Sequence, residues 1–385
     1  MRNIRILAVA AVVGMVTACA DSGTSSTTDA GLEATTTAPA GTTATTESTE
    51  TTAGTTAPSA VGTFVDGVLQ PLEDGFPNGP LTLMVIDEVG SSDSLFATEL
   101  SAIASAMSPV EVVVEHRTDF TNFGTWEGIE FVRNDERGAE GYIAFMISLQ
   151  GSTMDTITIP PEDLGGGLDD LNIVMTAESV PYAMYRRNDP APEWGTMTEM
   201  VEFAQANPNT VNYISPGPGG AQDAAFKYYQ QQLDFTVNET VVPGTLERAL
   251  VVAAGEGDIT LAPPEVVLPH WEAGKVEVIM ITGSEAPEPW SEVPTSADLG
   301  IASDPYGLTR GIAVSPTAPP EHKEWLETLF TAAIEDPVYQ EQRASVPGLR
   351  IDVRSSDEAR EQIQDIYDFT LPIFEELGMT WQDQQ

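Results

Sequence analysis

The stretch NYISPGPGGAQDAAFKYYQQQL, residues 212–233, reads as a strand, a loop and a helix in immediate succession. Asn212 to Ile214 is a short β-type run, and Ala221 to Leu233 has helical character. Between them, Ser215-Pro216-Gly217-Pro218-Gly219-Gly220 is a rigid, exposed backbone. Glycine lets backbone approach a ligand closely, and free N–H groups at a helix start can hold an anion. The same segment can equally be a plain Gly/Pro connection. It is not a P-loop, since the Gly-Lys-Ser/Thr ending is missing, and the Gly-x-Gly-x-x-Gly spacing of a dinucleotide fingerprint fails.

Working outward from this unit, the same alternation repeats in both directions. Upstream, strands are expected at Leu81–Ile86, Val110–Glu115, Tyr142–Leu149, Asn172–Met175 and Tyr182–Tyr185. Helices are expected at Ser94–Met107 and at Met197–Asn207, the second with Thr196 as its cap. Downstream, a helix over Thr245–Gly255 ends in glycine. Strands follow at Asp258–Ala262, Val276–Ile281 and Gly311–Ser315, then helices at Glu321–Glu335, Pro337–Ala344 and Ser356–Leu377. Strands alternating with helices predict an α/β architecture with mainly parallel sheets. Two such units predict two lobes and a cleft, with ligand outside the carboxyl ends of the strands.

A second loop of the same kind is Val89-Gly90-Ser91-Ser92-Asp93, which also lies between a strand and a helix. It is either an anion cradle or a simple turn with Ser92 or Asp93 as the N-cap. No Gly-x-Ser-x-Gly elbow and no His-Glu-x-x-His occurs, so no catalytic residue and no cofactor is expected. His116, His270 and His322 are scattered, which removes Cys/His metal sites, and His270 and His322 read as surface residues. Arg186-Arg187 can hold a carboxylate or pair with surface acids.

The N-terminus carries targeting information. Arg2 and Arg5 precede an apolar stretch, Ile6–Val16, too short for a spanning helix. Val16-Thr17-Ala18-Cys19 resembles a bacterial lipoprotein signal, with residues 1–18 removed and Cys19 lipidated; the alternative is an ordinary secretory signal. Residues 19–60 are rich in Thr, Ser, Ala and Gly, and cannot bury enough apolar surface to fold, so they read as a disordered tether. The expected location is the outer face of a cell membrane, reached through a lipid anchor.

Acids outnumber bases by 59 to 16 across 385 residues, a net charge of −43. That excludes a phosphate-tracking nucleic-acid binder. Cys19 is the lone cysteine, so a disulfide scaffold is excluded as well. Any anion captured by this chain must therefore be held by local dipoles and hydroxyls against the overall field.

In their order along the chain these segments resemble the solute receptors of tripartite tricarboxylate transporters, the Bug receptors. Gly90-Ser91-Ser92-Asp93 stands at the place of a Gly-Gly-x-x-Asp loop, Glu115-His116-Arg117 at that of Glu-Asn-Arg, and Glu140-Gly141-Tyr142 at that of Asp-Gly-Tyr. Ser215, Gly217 and Gly219 match a Ser-x-Gly-x-Gly-Ser-x-x-His loop, with Gly220 and Asp223 at its Ser and His places. Gly244, Ala249, Gly255 and Asp258, then Pro269 to Lys275, Val293-Pro294-Thr295 with Asp298 and Gly300, and Ala313 to Pro319 continue the correspondence. The departures are Asp87, Glu88, His116 and Asp223, and the three acids among them add negative charge near the expected site.

The resemblance implies a two-lobed, periplasmic-binding-protein-like fold: residues 61–172 as the first part of lobe one, 173–302 as lobe two, and 303–385 returning to lobe one. It implies a non-enzymatic monomer that captures a small organic acid, di- or tricarboxylate-like, and passes it to one large and one small membrane subunit. The implied ligand-binding residues are Gly90, Ser91, Ser92, Asp93, Ser152, Thr153, Ser215, Gly217, Gly219, Gly220, Asp223 and Asp258, with no metal. The competing expectations are an ABC-type or sensor-linked receptor, and a lipid-anchored hydrolase using Ser92 or Ser215.

Overall fold

The computed structural model describes residues 61–383, apart from 121–123, 302, 303 and 305. The expected signal, the expected lipidation site at Cys19 and the expected tether lie outside the described residues. Two mixed sheets organise the rest. The six-stranded sheet runs in the order Arg350–Ile351, Asn172–Pro181, Gly307–Val314, Ile143–Ser148, Leu81–Val85, Val112–His116; the five-stranded sheet runs Val276–Ile281, Ala183–Arg187, Ile259–Ala262, Asn212–Ser215, Asn238–Val241.

Every residue of Leu81–Val85 is buried, as a strand covered on both faces requires. Its alternation sorts the side chains. Leu81, Leu83 and Val85 face Phe96, Leu100, Trp325 and Leu329 of the helices Ser92–Met107 and Pro320–Glu335. Met84 faces the opposite way, in the cluster with Trp126, Met154 and Ile363 from the helices Gly124–Asn134, Leu149–Thr158 and Ser356–Leu377. That second cluster continues through Tyr213 and Phe226, whose rings stack at 3.5 Å, so one apolar core joins the two sheets.

The expectation of mainly parallel sheets is corrected to mixed ones. Parallel pairing is confined to the strand–helix–strand units: Leu81–Val85 pairs in parallel with Val112–His116 and Ile143–Ser148, and Asn212–Ser215 with Asn238–Val241 and Ile259–Ala262. The strands that carry the chain between the sheets, Asn172–Pro181 and Gly307–Val314, run antiparallel to each other. The first crossing falls at Tyr182, because Asn172–Pro181 pairs within the six-stranded sheet and only Ala183–Arg187 joins the other. The expected start of lobe two at residue 173 thus lies inside a strand of the first sheet.

Three of the longer helices are not legible as such, Gly124–Asn134, Leu149–Thr158 and Pro264–Glu272, nor are the single turns Glu136–Ala139 and Pro161–Leu164. The expected strand Tyr142–Leu149 stops at Ser148, whose side chain accepts the Gly151 N–H and starts a helix instead. Thr196 caps its helix as expected, with a reciprocal bond from Glu199. His322 is buried rather than superficial: it stacks on Phe76 and bonds Asp74 at 2.7 Å.

Candidate functional site

The carboxyl ends of five strands converge on one cavity of about 250 Å3 between the sheets. Asp87, Ser92 and Asp93 follow Leu81–Val85, and Ser148 and Gly151 follow Ile143–Ser148. From the other side come Pro216, Gly219, Gly220, Ala221 and Gln222, then Pro243, Thr245 and Arg248, then Pro263. Tyr182 and Leu308 close the cavity where the chain crosses between sheets. This is the position expected of a ligand site in open α/β sheets.

Five helix starts contribute to this wall, the fifth being Pro264–Glu272 after Pro263, and they differ. On the six-stranded side the first turns are capped from within: Ser91 accepts from Ser94 N at 3.1 Å, and Ser148 accepts from Gly151 N at 3.1 Å. On the five-stranded side the helices Gly220–Leu233 and Thr245–Ala253 begin at Gly219 and Gly244, with no side-chain cap. Their first-turn N–H groups are left for a ligand. Gly219 sits at φ +86°, where a side chain is strained, so glycine is needed to turn these N–H groups toward the cavity.

Dipoles and hydroxyls are joined on this wall by a cation, Arg248. It is 1% exposed and lines the cavity. Its Nη1 donates to Val242 O at 3.1 Å and Pro243 O at 2.5 Å; its Nη2 donates to Thr245 Oγ1 at 3.1 Å and to Gln222 Oε1. Its Nε is buried without a partner. Burial pulls its pKa down, but an Arg starting so high remains charged. Facing it, Asp87 is pushed up by burial, against the Glu88 N–H and the attraction of Arg248. Asp93 is also pushed up by burial, although Arg310 Nε donates to it at 2.9 Å. Arg310 is paired with Asp93, and Arg248 attracts Asp87, so two buried cations stand among the acids of this wall.

Of the residues expected in the site, Ser92, Asp93, Gly219 and Gly220 line this cavity. Ser91 is the helix cap, the cap expected at Ser92 or Asp93. Gly90, at φ +91°, makes the turn before it and does not line the cavity. Ser152 donates to Thr125 Oγ1 and Thr153 to Leu149 O, so both are spent within the fold. Ser215 accepts from Gly217 N and shapes the loop from behind. Asp258 does not reach the cavity: it sits at the opposite end of its strand, bonded to Arg187 Nε and Asn212 N, both at 2.7 Å. Asp223 lines a neighbouring cavity. Arg248 was missed, and its signal is a cation sharing the buried face of its helix with Ala249 and Val252.

Residues 146–379 match the family described as "Tripartite tricarboxylate transporter family receptor". The chain belongs to this receptor family. The receptor is 22% identical over 275 residues to the UPF0065 protein of the gbd 5' region of Cupriavidus necator, covering 70% of this chain and 79% of that one. It shares its fold with the periplasmic binding protein BugD, at TM-score 0.69 and 17% identity over 79% of this chain and 99% of that chain. A similar likeness holds for MatC from Rhodopseudomonas palustris with bound malate, at TM-score 0.66 and 16% identity over 77% and 99%. The two-lobed fold is thus shared, with the cavity between the lobes. The family is one of extracytoplasmic solute receptors and not of enzymes, which decides against a hydrolase built on Ser92 or Ser215. Among the described residues no helix is long and apolar enough to cross a membrane.

Proposed function

We propose that this receptor captures a small organic acid, of the di- or tricarboxylate kind, in the cavity beside Arg248. The observation that carries the reading is the pairing of two uncapped helix starts with a buried guanidinium on one wall. A helix start contributes about 0.3–1 kcal/mol per anion, up to about 2 when partly buried. Charge-assisted hydrogen bonds add about 1.5–3 kcal/mol each. Together these reach the roughly −8 kcal/mol of micromolar binding. The volume is below the roughly 300–1,000 Å3 of drug-sized pockets, which suits a small acid; MatC, with the same fold, holds malate. Gly219, Gly220, Ser92 and Thr245 would complete the ligand shell, and Asp93 would orient it through Arg310.

In this reading residues 61–181 with 307–383 form one lobe and 183–281 the other, refining the expected boundaries to the sheets. Cys19 carries the lipid, residues 19–60 hold the receptor off the membrane, and lobe closure reports occupancy to one large and one small membrane subunit. The test is calorimetric titration with malate, succinate, citrate and adipate, on the wild type and Arg248→Met. The reading expects at least one acid to bind near the micromolar range, and the variant to lose about 2 kcal/mol or more of that affinity. Binding of none, or unchanged affinity in the variant, would overturn it. Loss of membrane retention in Cys19→Ser tests the anchor.

A further inference from the structure

A larger cavity, of about 880 Å3, lies between the lobes at the other end of the helix Leu149–Thr158. It shares only Gly219 and Gly220 with the acid cavity. Its chemistry is the reverse. Asp155, Asp163, Asp223 and Glu239 line it, against Lys227 as the one base among the described lining residues; Lys227 bonds Glu239 at 2.7 Å and also attracts Asp223 without bonding it. The carboxyl end of Leu149–Thr158 also borders this cavity, through Thr158 and Ile159, and such an end favours a cation.

The deciding group is Asp223. It is 1% exposed, and its Oδ1 is buried with no hydrogen-bond partner among the described residues. Its Oδ2 only accepts the Gly219 N–H, at 3.2 Å. A buried acceptor left empty is costly, more so for a charged group, yet this one belongs to a residue lining a roomy cavity with apolar walls such as Val241.

We propose that this second cavity binds an organic cation, an ammonium group on an apolar body, with Asp223 Oδ1 as its acceptor and counter-ion. The ammonium donates to Oδ1, while Asp155 and Asp163 supply the surrounding negative field from the facing lobe. Burial pushes Asp223 up to about 6 and Asp155 to about 7, so both are ionised, and binding is strongest, on the alkaline side of neutrality. Glu239 stays neutralised by Lys227 across that range.

The test titrates the full chain, calorimetrically and by melting temperature, with phenethylamine, cadaverine and choline, and with neutral 2-phenylethanol as control. At least one amine is expected to bind at millimolar concentration or below, and 2-phenylethanol to bind at least about tenfold more weakly than phenethylamine. Asp223→Asn keeps the shape and the bond from Gly219, and is expected to weaken amine binding by about tenfold or more. Val241→Trp fills the cavity from an exposed strand and is expected to abolish binding, with unchanged far-UV circular dichroism and a cooperative melt as the check on folding. No binding by any of the three amines, equal binding of the alcohol, or full affinity in both variants overturns the assignment. Acid titrations report on the other cavity, so failure of either site is seen separately.

Discussion

Asp87 and Arg248 face each other across the acid cavity, and the balance between them sets the affinity for an anion. Asp87 is a like charge in the site, and unlike Asp93 it has no arginine bonded to it among the described residues. Removing it in Asp87→Asn is expected to strengthen malate binding severalfold, by roughly the 0.5–1 kcal/mol of a part-buried charge interaction. Because burial raises the Asp87 pKa, lowering the pH toward that value neutralises it, and the wild type is expected to approach the variant's affinity. Weaker binding in Asp87→Asn would instead mean that Asp87 holds a cationic part of the ligand. Asp155 makes a stability statement of its own. Its folded pKa, about 7, lies above the usual 3.8, so folding favours its protonated form. The stability it supports is complete below the unfolded value and is lost as pH rises through about 7. Asp155→Asn is therefore expected to melt higher than wild type at about pH 8, and the gap to close near pH 4. Equal melting temperatures across that range would show Asp155 to be ionised throughout.

At the level of elements, the helix Gly220–Leu233 shows what sequence could and could not disclose. Its existence and its Gly/Pro start were legible, because a glycine-rich turn between an apolar strand and a helix has few other uses. That its first turn is uncapped, while those after Ser91 and Ser148 are capped, was not legible, since a serine near a helix start reads equally as cap or ligand. The helix Leu149–Thr158 was hidden for a related reason: its buried residues include Gln150, Ser152 and Thr153, so no polar face alternates with an apolar one. Hydrophobic periodicity finds elements with one wet side, and this helix lies between two lobes. The glycine at the junction is the testable part. Gly219→Ala forces a Cβ into φ +86° and to 3.4 Å from Thr158 Oγ1. It is expected to cost about 1–2 kcal/mol in urea denaturation and to weaken malate binding about tenfold. Full affinity in a folded variant would remove the N–H groups after Gly219 from the site.

Across the whole molecule, the lobes are tied by a buried ionic network that no local motif announces. Glu178, fully buried on the crossing strand, accepts from Arg310 and Arg343 at 2.6 Å each and from Tyr339 at 3.0 Å. Arg310 reaches Asp93 at the edge of the acid cavity, and Arg343 reaches Glu99 at 3.1 Å. Glu265, from the helix Pro264–Glu272 of the other lobe, stands 3.1 Å from both arginines. The partners lie far apart in sequence, which is why spacing could not reveal them. Buried charges left without a partner cost about 3–5 kcal/mol, so the network holds a defined geometry more than it adds stability. Glu178→Gln is accordingly expected to lower the unfolding free energy by about 3 kcal/mol or more. Glu265→Gln acts differently, because Glu178 still holds both arginines while the link between lobes is cut. It is expected to leave each lobe folded, to enlarge the radius of gyration in solution scattering without ligand, and to weaken malate binding severalfold, since closure must then be driven by the ligand alone. An unchanged radius of gyration together with unchanged affinity would show that Glu265 merely fills the crossing and does not bias closure.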